Sequence, residues 1–352
     1  MRRTLLVTAM TLVLVAAPAA PSQASTSDPY RSRQWGLDNI RAEQAWTLSD
    51  GSGALVAVVD TGVDLDHPDL AANLVSYPDA DMVEPDGTCT RNKRVRTCTQ
   101  DGAQDANGHG THVAGIVAAV TDNGIGVAGT APGAKVLPVR VLDAGGSGTT
   151  DEVAAGIRYA ADKGAHVINL SLGFLSGLDQ VVKLVGALEP VYSAIDYAWA
   201  KGSVVVVAAG NDSVGLCAEP SAHPRAVCVG ATDRDDARSF YSNGDATMTS
   251  TYLVAPGGHA LTCAGDILST YLRSEPKSAC SGIDQGYEYL AGTSMATPHV
   301  AGVAALLAAQ GLTNTEIVRR LTSTADDLGL SGRDPVYGYG RINAARAVGA
   351  AI

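Results

Sequence analysis

Charge is scarce in this chain. Asp, Glu, Lys and Arg together make up 17% of its 352 residues, and aromatic residues make up 5%, with only two phenylalanines. Apolar residues reach 46%. Low charge with that much apolar surface excludes a disordered chain and permits a sizeable core. Basic residues are the scarcer charged kind, 25 against 36 acidic ones, for a formal charge of −11. Phosphate backbones and anionic lipid repel such a chain, which excludes nucleic acid and membrane surfaces as partners. No C-x-x-C spacing is present, which argues against a zinc site. No H-E-x-x-H glutamate accompanies His109 and His112, so that pair does not read as a metalloprotease site. There is no internal repeat and no Pro/Gly/Ser linker, so one domain is expected. Beyond the first residues no stretch is long and apolar enough to span a bilayer.

The beginning of the chain carries a different signal. Arg2 and Arg3 precede an apolar stretch, Leu5 to Ala17, and Ser22-Gln23-Ala24 is a small-x-small cleavage site. This reads as a secretory signal peptide over residues 1–24, followed by a single domain over residues 25–352. Export removes two arginines and leaves an extracellular protein more acidic still. Six cysteines remain: Cys89, Cys98, Cys217, Cys228, Cys263 and Cys280. An even count in an exported chain points to disulfides, and six allow 15 pairings. Sequential pairing is expected, each close couple stapling one surface loop.

Apolar β-branched runs alternate with amphipathic stretches. Ala54 to Val59, Lys135 to Leu142, His166 to Leu172, Ser203 to Ala209, Val227 to Ala231 and Leu253 to Ala255 read as strands. Helical patterns cover His109 to Val120, Thr149 to Lys163, Ser193 to Lys201, Thr293 to Gln310, Thr313 to Ala325 and Ile342 to Ala351. Strands apolar on both faces and separated by helices imply an α/β fold. Its expected form is three layers, a mostly parallel central sheet flanked by helices. Thr88 to Gln104 and Leu175 to Val191 read as surface insertions. Ligands of such sheets bind at the carboxyl ends of strands. Asp60 and Gly210-Asn211 follow strands directly, and His109 and Ser294 open helices, so all four gather at one edge.

Those residues have the types needed for nucleophilic catalysis. A serine hydroxyl needs a base within reach, and the base needs an orienting acid. Asp60 lies in Val-Val-Asp-Thr-Gly, His109 in Asn-Gly-His-Gly-Thr-His-Val-Ala-Gly, and Ser294 in Gly-Thr-Ser-Met-Ala-Thr-Pro-His. Asn211, in Ala-Ala-Gly-Asn, brings an amide donor for a developing oxyanion, with the Ser294 N–H as the second. Gly-Thr-Ser-Met-Ala is not the G-x-S-x-G elbow of esterases, and the order Asp, His, Ser is that of subtilisin.

From Asp28-Pro29-Tyr30 to Gly340-Arg341-Ile342-Asn343 these segments resemble the subtilases, most of all their thermitase-type members. The resemblance implies a subtilisin-like fold and secreted serine endopeptidase activity. It gives Asp60 as orienter, His109 as base then acid, Ser294 as nucleophile and Asn211 as oxyanion donor. It implies polypeptide substrates, a protein inhibitor as a further partner, and a monomer. Substrate is expected to pair with Gly145 to Gly148, centred on Gly146, and with Ser171, Leu172 and Gly173. Ala208, Ala209 and Gly210 form one wall of the S1 pocket, above a cis-proline turn at Glu219-Pro220. Ca²⁺ is implied as cofactor, with Asp28, Asp69, Asn123 and the carbonyls of Val120, Ile125 and Val127 as its six oxygen ligands. Asp79, Asp81, Asp86 and Asp105 give a weaker second set. Two departures stand out. No room is left between Ala24 and Asp28 for a folding-assisting prosegment, so disulfides and calcium are expected to compensate. Phe174 stands where a second glycine is usual. A narrow-specificity processing protease, favoured by the insertion after Phe174, and a catalytically silent binding protein on the same fold remain open alternatives.

Overall fold

In this computed structural model, residues 26–350 are described, apart from 76, 78, 84–88, 93–94, 99–101 and 174–185. The leader 1–24, Asp86, Phe174 and most of the second insertion therefore lie outside the described residues.

Six parallel strands form the central sheet: β1 (Leu55–Asp60), β4 (Lys135–Arg140), β5 (Val167–Leu170), β6 (Val204–Ala208), β7 (Ala226–Thr232) and β8 (Thr251–Pro256). Their order is β4-β1-β5-β6-β7-β8. The register pairs Val59 with Val139 on one side of β1 and Val58 with Asn169 on the other. Alternate residues serve opposite faces, as strand geometry requires. Val56, Val58, Val136, Val204 and Val206 join a core with α3 (His109–Ala118) and α6 (Thr293–Ala309). The helices α1 (Trp35–Asn39), α2 (Ala42–Trp46), α7 (Asn314–Ser323) and α8 (Ala344–Val348) add to that face. Ala57, Val59, Leu137, Val139, Ile168 and Val205 face the other way, toward α4 (Thr150–Asp162) and α5 (Glu189–Ala200). Cover on both faces is why the strands read as unbroken apolar runs.

The helix after β1, α3, lies on one face, and the helix after β4, α4, on the other. The chain runs from β1 to β4 on one side and from β5 to β6 on the other, so the crevice between the carboxyl ends of β1 and β5 is a topological switch point, where open α/β sheets bind ligands. Asp60 is the last residue of β1.

Several boundaries differ from expectation. The third strand is shorter than His166 to Leu172, because Ser171 onward leaves the ladder. Residues 189–191, expected in the second insertion, form the first turn of α5; Pro190 suits that turn, where its missing N–H is not needed. The last helix is shorter than Ile342 to Ala351, capped by the Asn343 side chain and closed at Gly349. The first insertion contains an antiparallel hairpin, β2 (Cys89–Asn92) with β3 (Val95–Cys98), whose register sets Cys89 opposite Cys98. The side chains of that hairpin lie outside the described residues. The other two sequential disulfides are present, Cys217–Cys228 and Cys263–Cys280. Sequence patterning did not anticipate a second antiparallel pair, β9 (Ile267–Thr270) with β10 (Tyr287–Leu290). It leads directly into Gly292 and α6.

Candidate active site

Four neighbouring strands deliver the expected residues to one edge of the sheet. The segment around Gly146 follows β4, Asp60 ends β1, Ser171 to Gly173 follow β5, and Ala208 to Asn211 run out of β6. His109 opens α3, and Ser294 is the second residue of α6.

Asp60 is fully buried and its Oδ1 lies 2.7 Å from His109 Nδ1. The same oxygen accepts the Thr61 N–H, which leaves the imidazole edge oriented. Glycine allows this approach. A Cβ on Gly110 would collide with the Gly62 carbonyl oxygen, so α3 could not otherwise start against the end of β1. The start of α3 is held by polar groups. Asp105 accepts the N–H groups of Asn107, Gly108 and Thr111, and the Thr111 hydroxyl. Asn107 Oδ1 accepts the His109 N–H, while its Nδ2 donates to the Ala144 carbonyl. This second bond ties the histidine to the Gly146 turn. Burial opposes charging of the His109 ring, but the Asp60 carboxylate outweighs it through charge and hydrogen bonding, with help from Asp105. The imidazole pKa is therefore held above its ordinary value. His112 belongs to a different network. Its Nε2 faces the Ile267 and Glu288 carbonyls, and burial pushes its pKa down to about 3.

The first four N–H groups of a helix have no partner within it. In α6, Thr293 N donates to Asn211 Oδ1, and Met295 N and Ala296 N donate to the Gly292 carbonyl. Among the described residues, Ser294 N alone of the four has no recorded acceptor. Asn211 Oδ1 also accepts the Thr293 hydroxyl. Those two bonds fix which end of the amide is oxygen, so Nδ2 is turned outward. A Cβ placed on Gly292 would lie 3.6 Å from Ser294 N and 3.7 Å from Asn211 Nδ2, so both donors border one small space. Such a space suits an anionic oxygen. The Ser294 hydroxyl donates to the Ser171 carbonyl at 3.1 Å.

Leu172 and Gly173 are partly or fully exposed, and no hydrogen bond is recorded at their main chain among the described residues. Ala209 O accepts Ala218 N at 2.8 Å, which lays the 217–220 segment beside the Ala208–Gly210 wall. The Glu219–Pro220 bond is cis, as expected.

Asp28 and Asp69 meet the 120–127 loop. Asp28 accepts the Asp122 and Asn123 N–H groups, and Asp69 accepts Val127 N and Asn123 Nδ2. Both carboxylates are buried. Desolvation raises both pKa values, that of Asp69 to about 6. The carbonyls of Val120, Ile125 and Val127 accept no recorded hydrogen bond among the described residues, although that of Gly126 accepts Tyr30 N. Of the weaker acidic set, Asp86 lies outside the described residues, and the other three do not assemble. Asp105 caps α3, Asp79 bonds Tyr159 and Lys163, and Asp81 pairs with Arg140. Sequence reasoning passed over Asn107, which holds both His109 and the Gly146 turn, and Asn169, a buried amide in an apolar strand. An asparagine inside Val-Ile-Asn-Leu was the available signal for the latter.

The Subtilase family model matches residues 51–340. Thermitase from Thermoactinomyces vulgaris is 45% identical over 326 residues, covering 92% of this chain and 98% of the relative. A thermophilic serine proteinase from Bacillus sp. (strain AK1) is 42% identical over 320 residues, covering 91% and 68%. Among solved structures, a protease of Pseudoalteromonas arctica PAMC 21717 superposes with a TM-score of 0.73 at 34% identity, covering 92% and 99%. With family match and geometry in agreement, the chain belongs to the subtilase family and is a subtilisin-like serine endopeptidase.

Proposed function

We propose that the chain is an exported endopeptidase in which Ser294 attacks the peptide carbonyl, His109 moves the proton and Asp60 orients His109. The observation that carries this reading is the 2.7 Å bond between buried Asp60 and His109 at the switch point of the sheet. Substrate lies as an added strand beside Gly146 and beside Ser171, Leu172 and Gly173, the last two of which have main chain free of partners among the described residues. Ala208, Ala209 and Gly210 border its P1 side chain. For attack, the Ser294 hydroxyl turns from the Ser171 carbonyl to His109 Nε2. The Oγ–C bond forms, the proton passes to Nε2, and the carbonyl oxygen takes up charge between Ser294 N–H and Asn211 Nδ2. His109 then returns the proton to the departing amine as the C–N bond breaks. Water repeats the sequence on the acyl-enzyme. The leader at residues 1–24 supports export. Among the described residues, no helix is long and apolar enough to cross a membrane.

The test is intact mass before and after reaction with a fluorophosphonate probe. One adduct per chain, absent in Ser294→Ala, is the expected result. No adduct on folded, calcium-loaded protein overturns the assignment and moves the silent binding protein to first place.

Calcium fits the 120–127 loop. No group of three or more His, Cys, Asp or Glu side chains gathers there or elsewhere among the described residues, so a cation must draw on the main chain. Three unused carbonyls and two buried carboxylates beside Asn123 supply hard oxygen ligands. Ca²⁺ would be held by Asp28, Asp69, Asn123, Val120, Ile125 and Val127, and would supply positive charge to acids that are otherwise desolvated. Chelation is expected to lower the melting temperature. At a hundredfold excess of ion over its dissociation constant the loss is about 2.7 kcal/mol, or roughly 4 °C for a chain of this length. A scanning-calorimetry trace unmoved by excess chelator would dismiss the site. In Asp69→Asn the calcium-dependent shift should disappear.

A further inference from the structure

Helix α6 contains a proline at its sixth position, Pro298, one turn beyond Ser294. A proline has no N–H, and its ring crowds the carbonyl four residues earlier. That carbonyl is Ser294's own. The nucleophile's carbonyl is thus deprived of its regular helical partner. A side chain from another element meets it instead: Ser171 Oγ donates to Ser294 O at 2.8 Å. The neighbouring carbonyls of this turn are served from within the helix, Thr293 O by the Thr297 hydroxyl and Met295 O by His299 Nδ1. Only the central one depends on the sheet.

The polarity of that contact is also set. Asn169, in β5 and with no exposed surface, donates from Nδ2 to Ser171 Oγ at 2.9 Å. A hydroxyl that accepts from an amide has its single proton left for its other neighbour, here the Ser294 carbonyl. Among the described residues, Asn169 Oδ1 is buried without a partner. A half-satisfied amide lowers stability, and local rules are broken in this way where function requires it. The clasp has a second strand, since Ser294 Oγ donates to the Ser171 carbonyl at 3.1 Å.

We propose that the Ser171 side chain, oriented by Asn169, is a positioning residue that replaces the hydrogen bond Pro298 cannot give and so aligns Ser294 and its N–H for attack. The inference rests on Ser294 being the nucleophile. It assigns the Ser171 hydroxyl a task separate from the substrate pairing of its main chain. It also couples that strand edge to the oxyanion space, because a shift of Ser171 is transmitted to the first turn of α6.

The test is a double-mutant cycle on the full chain, reading kcat, KM and the rate of fluorophosphonate labelling. Ser171→Ala should lower kcat about 10- to 100-fold, the size expected for a misplaced reacting group. KM should stay within about threefold, since substrate pairing uses main chain. Labelling should slow in parallel, and Ser171→Thr, which keeps the hydroxyl, should restore it. Pro298→Ala supplies an N–H to Ser294 O, so in that background Ser171→Ala should cost at least about tenfold less. Should Ser171→Ala not fold, Asn169→Ala removes the orientation of the same hydroxyl and should also lower kcat. Wild-type kcat in Ser171→Ala overturns the proposal, as does an undiminished loss in the Pro298→Ala background. If wild type itself takes no label, the nucleophile assignment fails, a result distinct from either.

Discussion

Ser294→Ala is expected to reduce kcat on a peptide substrate by about 10⁶-fold, the magnitude known for loss of this residue in subtilisin. The size follows from what the side chain alone can do. The two nearest hydroxyls among the described residues are already committed elsewhere. Ser171 has its proton committed to Ser294 O, and Thr293 has its hydroxyl on Asn211 Oδ1. Removal of Oγ leaves water as the only nucleophile. The remaining machinery should keep some effect, because the proposed oxyanion donors, Ser294 N and Asn211 Nδ2, are not removed by the change. A residual acceleration of roughly 10³ over uncatalysed hydrolysis should survive. KM should change little, since the substrate segments are main chain. The check is steady-state kinetics on a chromogenic peptide, with wild-type contamination excluded by active-site titration. A variant retaining a tenth of wild-type kcat would mean that another group attacks.

The layers of the fold were legible because both faces of the sheet are covered. Val56 to Val59 alternate between two cores, so neither alternation nor polarity interrupts the run. The site was legible for a related reason. Close approach of main chain demands glycine: a Cβ on Gly62 would meet the Ala103 carbonyl oxygen, and one on Gly110 the Gly62 carbonyl oxygen. The pair β9 and β10 was less so. Its strands are short, carry Ser269, Thr270 and Glu288, and are separated by a long loop whose Cys280 is bonded to Cys263 ahead of β9. The start of α5 was hidden because Pro190 is a breaker in most positions and harmless only in a first turn. The proposed calcium ligands come from three separated segments, so only resemblance could join Asp28 and Asp69 to the loop. The Asn169–Ser171 clasp was invisible for a deeper reason. Its meaning depends on a proline 127 residues beyond Ser171 in the chain, and no periodicity links the two. Polar residues inside apolar strands thus carry information that only contacts can interpret.

Asp60→Asn is expected to lower kcat by about 10⁴-fold while leaving the fold in place, the loss found when the orienting acid of a serine protease becomes an amide. In wild type, Asp60 Oδ1 accepts from His109 Nδ1, which leaves Nε2 as the basic nitrogen facing the cleft. An asparagine that turns its amide NH₂ toward Nδ1 reverses this. Nδ1 then accepts, the proton moves to Nε2, and the ring has nothing with which to take the serine proton. The pH profile should change as well. His109 acts as a base only when neutral, so activity appears as pH rises through its pKa. That value is held above 6.5, and the acidic limb of kcat/KM should lie above 6.5 in wild type. Burial is the largest influence on this ring and pushes its pKa down; the Asp60 charge is what overcomes it. Without that charge, the limb should move to lower pH, Asp105 alone opposing the shift. Stability follows the same linkage with its own sign. A raised histidine pKa stabilises the fold fully below the unfolded value of about 6.5, and this contribution is lost as pH rises through the folded value. Asp60→Asn should therefore lose stability at acidic pH relative to wild type and little above the wild-type pKa. Melting temperatures measured across pH 5 to 9, beside the kcat/KM profile, test both signs together. An acidic limb unchanged by the substitution would mean that the titrating group is not a histidine coupled to Asp60.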